Sequence, residues 1–417
     1  MKIICTFLFS SLLLLLHSMV CPQVLAYERN VLAAGWYNCL FIDKNGLVWG
    51  WGSGSELGLA SDQATPQIVF EKAVSVSASH CSIALGEDGT VWGRGSNIFC
   101  QLGNTPFSES PRKIFDDAIA LGVGPNGVNT FVIKPDRSLW AWGSGWGCEE
   151  ENIEHSNAAK EYADSCLPRR ILDNVEQVAM GSEHTLALVR TDPATNGGKA
   201  LQLMGWGSND CWQLGDYDLG NQTAPVPINP WNDESIRDSL SIVKVAAAGT
   251  ASYALTEDGT IWGWGADRVF CEPWRRGNPE DPDTRRFEGM DSVADISAGH
   301  AGLLALKEDG TLWGTYWDTR SSQPEKLIRT KQADWAFFLD NVQEISAGGF
   351  HGIALKKDGT VWTWGDNNMG QLGRSDENDY TTPIQQVVFP SPEETAIQLK
   401  KFREKMKAVK QQCDCLE

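Results

Sequence analysis

The stretch GIALKKDGTVWTWG, residues 352–365, decides how the chain is read, because it returns six more times. Close copies are SIALGEDGTVWGRG at 82–95, YALTEDGTIWGWG at 253–265 and LLALKEDGTLWG at 303–314. Looser ones are CLFIDKNGLVWGWG at 39–52, FVIKPDRSLWAWG at 131–143 and ALVRTDPATNGGKALQLMGWG at 187–207, whose turn is lengthened. Six copies anchor on Trp49, Trp92, Trp140, Trp262, Trp313 and Trp362, with Met204 in that place in the seventh. The anchors recur every 43 to 64 residues. A strand-rich repeat of that period specifies a radial or solenoid array rather than one ordinary core.

Each copy reads as a β-hairpin, with apolar residues alternating on both sides of an Asp-Gly or Asn-Gly turn. Two more strands precede each hairpin. One follows a proline: Pro66 before QIVF, Pro111 before RKIF, Pro168 before RRIL, Pro225 before VPI, Pro324 before EKLI and Pro383 before IQQVVF. The other is rich in small residues, as in VSVSA at 74–78, VAAAG at 245–249 and ISAG at 296–299. Naming these strands a (proline), b (small), c and d (the hairpin) predicts an all-β, seven-bladed β-propeller of four-stranded blades. The first repeat starts at strand b, Val31–Ala34, and a spare strand a, Ile384–Phe389, follows the last. The expectation is that the spare strand completes the first blade and closes the ring.

The repeat phrases resemble those of regulator of chromosome condensation repeats. The seventh repeat carries all of them: Ala347-Gly348 with His351, Ala354 and Leu355, then Asp358 to Gly365, then Gly370-Gln371-Leu372-Gly373. Gln-Leu-Gly also closes the second and fourth repeats, at 101–103 and 213–215. The resemblance spans about residues 31–389 and implies the propeller fold. It implies no single function, since such propellers serve many roles.

Residues 1–26 are a separate object. Lys2, an apolar run from Ile3 to Leu16 and the exit Val24-Leu25-Ala26 are the pattern of a secretory signal peptide. The expected organisation is a signal peptide at 1–26, the propeller at 27–390, and a basic amphipathic helix with a cysteine-containing tail at 391–417. The localisation expected is secreted or periplasmic, with no membrane segment after cleavage. The chain holds 54 acidic and 35 basic residues, a net charge of −19. That opposes nucleic acid, whose binding requires phosphates to be neutralised by Lys and Arg. Eleven cysteines include nine beyond residue 26. Cys148 and Cys166 bracket one long insertion and are the candidate disulfide. In the tail, Ser391-Pro392-Glu393-Glu394 is a helix start, and Leu399, Phe402, Met406 and Val409 share one face. That helix is expected to dock on the propeller's own acidic surface; the alternative is a partner-binding helix, with Cys413 or Cys415 available for a mixed disulfide.

The chain offers no nucleophile with a base, no paired carboxylates and no CxxC or HExxH, so the reading is of a non-enzyme with no cofactor and no metal site. His184 and His351 share a repeat position and read as structural, bonding the turn between strands b and c. The Asp of each hairpin is a turn residue. Of 18 tryptophans, eleven belong to the repeated phrases and read as core. The others are Trp36, Trp146, Trp212, Trp231, Trp274, Trp317 and Trp335. Strand direction alternates, so b–c and d–a connections emerge on one face. Trp36, Trp146, Trp212, Trp274 and Trp317 fall in those connections, with Tyr37 beside them, and form the candidate partner-binding set. The function expected is an exported protein-interaction propeller binding an unidentified protein; the alternative is a carbohydrate-binding propeller using exposed Trp.

Overall fold

The structure, a computed structural model, describes residues 29–414 apart from 105–106, 123, 125–126, 144–165, 195–198, 217, 232–235, 237–238, 266–283, 301, 316–334 and 375–381. Seven antiparallel four-stranded sheets follow one another along the chain. The first runs Leu32–Ala34, Asn38–Ile42, Leu47–Gly52 and Gln63–Glu71. The last runs Val342–Ala347, His351–Lys356, Val361–Gly365 and Thr382–Gln386. This is the expected seven-bladed propeller. One helix of eight or more residues accompanies it among the described residues, at Pro392–Asp414.

The blades are phased one strand later than the sequence suggests. The small-residue strand b is first and innermost, the hairpin follows, and the proline strand a is the outer edge of the same sheet. The last a strand therefore pairs inside its own blade, Trp362 with Gln386 and Thr363 with Gln385. It does not lie beside Val31–Ala34, so the expected closure by strand exchange is wrong. The reason lies in the a–b links. Between Glu71 and Ala73 stands Lys72 alone, too short for a hairpin. Lys72, Asp117, Asn174, Ser292 and Asn341 at these links all take φ of 55–61°, turning the chain into the next blade.

Small residues line the axis because seven inner strands crowd there. They enclose a channel of about 930 Å³, lined by Ala more than any other residue, by Val, Leu and Ile, and by Glu176, Arg190, Lys244, Asp295 and Glu344. An innermost strand has an open edge, and the neighbouring blade's side chains satisfy it. Gln177 Oε1 accepts the Val245 N–H at 2.8 Å, and Ser297 Oγ accepts that of Ala347 at 3.0 Å. The same device closes the ring. Glu344 Oε1 accepts the N–H groups of Val31 and Leu32, at 2.8 and 2.9 Å, and Ser346 Oγ that of Ala34 at 2.9 Å.

A second staple joins blades farther out. The carbonyl of each Gln in Gln-Leu-Gly accepts the indole N–H of the second Trp of the next blade. Gln101 takes Trp142 at 3.0 Å, Gln213 takes Trp264 at 3.0 Å, and Gln371 takes Trp51 at 2.9 Å across the closure. The Gln side chains hold their own loops, Oε1 accepting the N–H of Phe99, Cys211 and Met369. In blade 2, Arg94 stands in place of the second Trp and donates to the carbonyls of Val69, Gly58 and Glu109. Trp51, Trp142 and Trp264 are fully buried. The hairpin motif is equally self-contained: Asp358 Oδ1 accepts from Thr360 N and Oγ1, and Thr360 Oγ1 accepts from Trp362 Nε1.

After blade 7 the chain crosses back over blade 1. The Phe389 ring lies 5.4 Å from Phe41 and 5.7 Å from Trp49. The C-terminal helix starts with the expected capping box, Glu394 N–H on Ser391 Oγ and Ser391 N–H on the Glu394 carboxylate. It packs on the outer strands of blades 1 and 2, with Leu399 and Phe402 against the first blade's core. Its bases meet acids: Arg403 to Glu71 at 2.9 Å and Lys405 to Glu109 at 3.4 Å.

The disulfide expectation is corrected. Cys166 pairs with Cys100 of the blade 2 loop, 4.9 Å between Cα atoms, not with Cys148, which lies outside the described residues. The Gln101 staple leans that loop onto blade 3 and carries Cys100 to Cys166. Cys211 is also disulfide-bonded, and Cys39 and Cys81 are buried thiols.

Candidate partner-binding face

The b–c turns lie at the smallest radius of the ring, so residues from separate blades meet there. Trp36 occupies the turn of blade 1, closed by the Gly35 N–H on Asn38 O at 2.8 Å. Its ring stacks on His80 of blade 2 at 6.0 Å and meets His300 of blade 6 and Phe350 of blade 7 edge-on, both at 5.4 Å. Tyr37 stands at 5.9 Å on the same side. His80 is in turn 5.6 Å from Phe99, in the d–a loop of blade 2. The result is a chain of rings, Phe99–His80–Trp36–Phe350, running over the b–c ends of the adjacent blades 2, 1 and 7. All of them are half-buried. Ile98 beside Phe99 is 66% exposed.

Gly349 makes this possible. A Cβ there would stand 2.7 Å from Trp36 O and 3.0 Å from its ring, so Trp36 packs this closely on blade 7 only with glycine at that point. Burial lowers the pKa of both His80 and His300, so both are neutral at physiological pH and the ring cluster carries no imidazolium.

His184 and His351 are structural, as expected, but they bond the next blade rather than their own turn. His184 Nε2 pairs with the Ser252 hydroxyl at 2.8 Å, and His351 Nε2 donates to Asn38 O at 3.2 Å. Burial drives their pKa down to about 3 and about 4. No group of His, Cys, Asp or Glu among the described residues is placed to hold a metal.

Of the tryptophans expected on this face, Trp36 and Trp212 are described, with Tyr37; Trp146, Trp274 and Trp317 lie outside the described residues. Trp36 and Tyr37 belong to the ring cluster. Trp212 is half-buried in the Gln-Leu-Gly loop of blade 4, at φ 59°. Trp231, on the opposite side, is buried against Trp262 and Trp264. His80, His300 and Phe350 were missed as site residues. Their spacing in sequence carries no information on radius, and radius is what brings them together.

The regulator of chromosome condensation (RCC1) repeat profile matches residues 342–371 and 358–398. Over 64% of this chain and 60% of its own length, the ultraviolet-B receptor UVR8 of Arabidopsis thaliana is 28% identical. The mitochondrial RCC1 domain-containing protein RUG3 of the same plant is 25% identical over 66% of this chain and 62% of its own. The matched region thus spans about three fifths of those relatives, and 6% of the human E3 ubiquitin-protein ligase HERC2, which is 26% identical. Among solved structures, Prp20p of Saccharomyces cerevisiae, a protein described as binding Gsp1p and histones, superposes with a TM-score of 0.64 at 18% identity, over 88% of this chain and 97% of that one. Human WBSCR16 gives 0.57 at 19%, over 87% and 83%. The chain is a propeller of RCC1 repeats.

Proposed function

We propose that the protein is an exported, non-enzymatic interaction propeller that binds a protein partner through the face formed by its b–c and d–a connections. The observation that carries this is the ring chain Phe99–His80–Trp36–Phe350 over the b–c ends of blades 2, 1 and 7, with Ile98 exposed at its end. Half-buried aromatics held by a rigid scaffold lose little entropy on binding and serve as contact anchors. Among the described residues, the repeat motifs are accounted for by hydrogen bonds within hairpins and between blades. A protein-binding role also agrees with the described binding of Prp20p, which shares the fold.

The test is photo-crosslinking in the producing cell, with benzoylphenylalanine in place of Ile98 or, on the opposite face, Lys44. A protein adduct from Ile98 alone is expected. Adducts from Lys44 alone or equally from both, or glycan binding with no protein adduct, would refute the reading. N-terminal sequencing of the exported chain should begin at Tyr27; a start at Met1 would remove the export half of the proposal.

A further inference from the structure

The connections of the two faces differ in the mix of charges they expose. In the described b–c and d–a connections, the exposed charged residues are Asp62, Glu183, Asp210 and Asp218, with Asp216 half-buried. No lysine lies in the described connections of that side, and Arg374, half-buried, is their one arginine. On the other side, c–d turns and a–b links mix both signs: Lys44, Lys72 and Lys357 stand among exposed acids such as Glu87, Asp88, Asp117, Asp136, Glu308 and Asp358. The face whose described connections expose acids and no lysine is also the one that carries the rings.

From this combination we infer that the partner presents a basic, partly apolar protein segment, whose Arg or Lys side chains lie over the Trp36 and Tyr37 rings while their charges face the acidic rim. The inference rests on the interaction reading above and names its chemistry. A cation is attracted to an aromatic face within about 6 Å, and a guanidinium stacks flat on one. Neutral His80 and His300 offer no repulsion beside Trp36. The exposed acids add a long-range field that raises the association rate and is weakened by salt. An anionic membrane or nucleic acid would meet like charge on this face.

The probe is a fluorescein-labelled peptide of repeated Arg-Leu-Gly, compared with its Glu-Leu-Gly counterpart, titrated against the full chain by fluorescence anisotropy. Binding of the Arg peptide alone is expected. Its affinity should fall about fivefold or more between about 0.05 and 0.3 M NaCl, as the screening length shortens. The pair Glu183→Gln and Asp210→Asn should weaken it about fivefold, the scale of two exposed ion pairs. Trp36→Ala should weaken it roughly thirtyfold; should that variant unfold, Tyr37→Ser gives the same readout from outside the ring stack. The control pair Glu87→Gln and Glu308→Gln, exposed on the other face, should change nothing. Equal binding of the Glu peptide, indifference to salt, or an equal loss in the control pair overturns the inference. A crosslink from Ile98 together with any of those results would leave the interaction reading standing and remove only its charge chemistry.

Discussion

Deleting residues 391–417 should loosen the outer edge of blades 1 and 2 without opening the ring. The helix contributes Leu399 and Phe402, both half-buried against the blade 1 core. Full burial of such a side chain is worth about 1.5–3 kcal/mol, so half-burial of the two gives about 2–3 kcal/mol. The Arg403–Glu71 and Lys405–Glu109 pairs have side chains 28–63% exposed and together add less than about 1 kcal/mol. Gln398 Oε1 accepts the Ile68 N–H at 3.3 Å, a further small term. Ordering the tail opposes these, leaving a net loss of about 2–3 kcal/mol on deletion. The closure between blades 7 and 1 survives, because the Glu344, Ser346, His351 and Gln371 bonds and a shared core of buried residues remain. Urea unfolding followed by Trp fluorescence should stay one cooperative transition at a lower midpoint. Hydrogen exchange should quicken in Gln63–Glu71 and Ser108–Phe115 and stay unchanged in Ile242–Ala248. An unchanged midpoint would mean that the helix is undocked in solution. A split transition, with early exchange in Leu32–Ala34, would show that the helix rather than the inner bonds closes the ring.

Trp264→Ala should cost about 3–5 kcal/mol, read as a lower melting temperature, with binding of any partner unchanged at temperatures where the variant is folded; a stable variant that loses only binding would contradict its place in the core. The pH profile of stability should be highest between the ordinary Glu and His values, about pH 4.5 to 6.5. Above it, Glu56 and Glu344, raised by burial to about 8 and about 7, hold protons that the unfolded chain has released, so stability falls as pH rises toward 8. Below it, His184 and His351 resist the protonation that the unfolded chain accepts, so stability falls as pH drops toward 4 and 3. Glu344→Gln, which keeps an acceptor for Val31 and Leu32, should flatten part of the alkaline fall in thermal melts; a profile identical to the parent's would sink this assignment. Non-reducing peptide mapping should find Cys100 joined to Cys166, and Cys166→Ser should lose about 4 kcal/mol, the loop-closure scale for a separation of 66 residues; a Cys148–Cys166 peptide would refute the geometry.

Blade number and hairpins were legible because Asp-Gly turns and paired Trp report local structure. Blade phase was not read, because a cyclic a-b-c-d pattern has no origin. The one-residue link at Lys72 was nevertheless visible in sequence, and it forbids an a–b hairpin. The Cys148–Cys166 expectation failed because nearness along an insertion says nothing of where the neighbouring blade's loop leans. Trp36 was found by subtracting the motif tryptophans. Its partners His80, His300 and Phe350 sit 44, 264 and 314 residues away in the chain, and only the geometry of the axis joins them.

Because each sheet is one uninterrupted segment, the links at Lys72, Asp117, Asn174, Ser292 and Asn341 are seams at which the chain can be cut without breaking a strand. Circular permutants opened at Lys72 or Asn341, with the old ends tethered, should keep all seven sheets whole. By the same token, tandem duplication of one such segment inserts a complete blade and rethreads nothing. This fold can grow or shrink by units of its own sequence, with blade number limited by how many inner strands the axis accommodates.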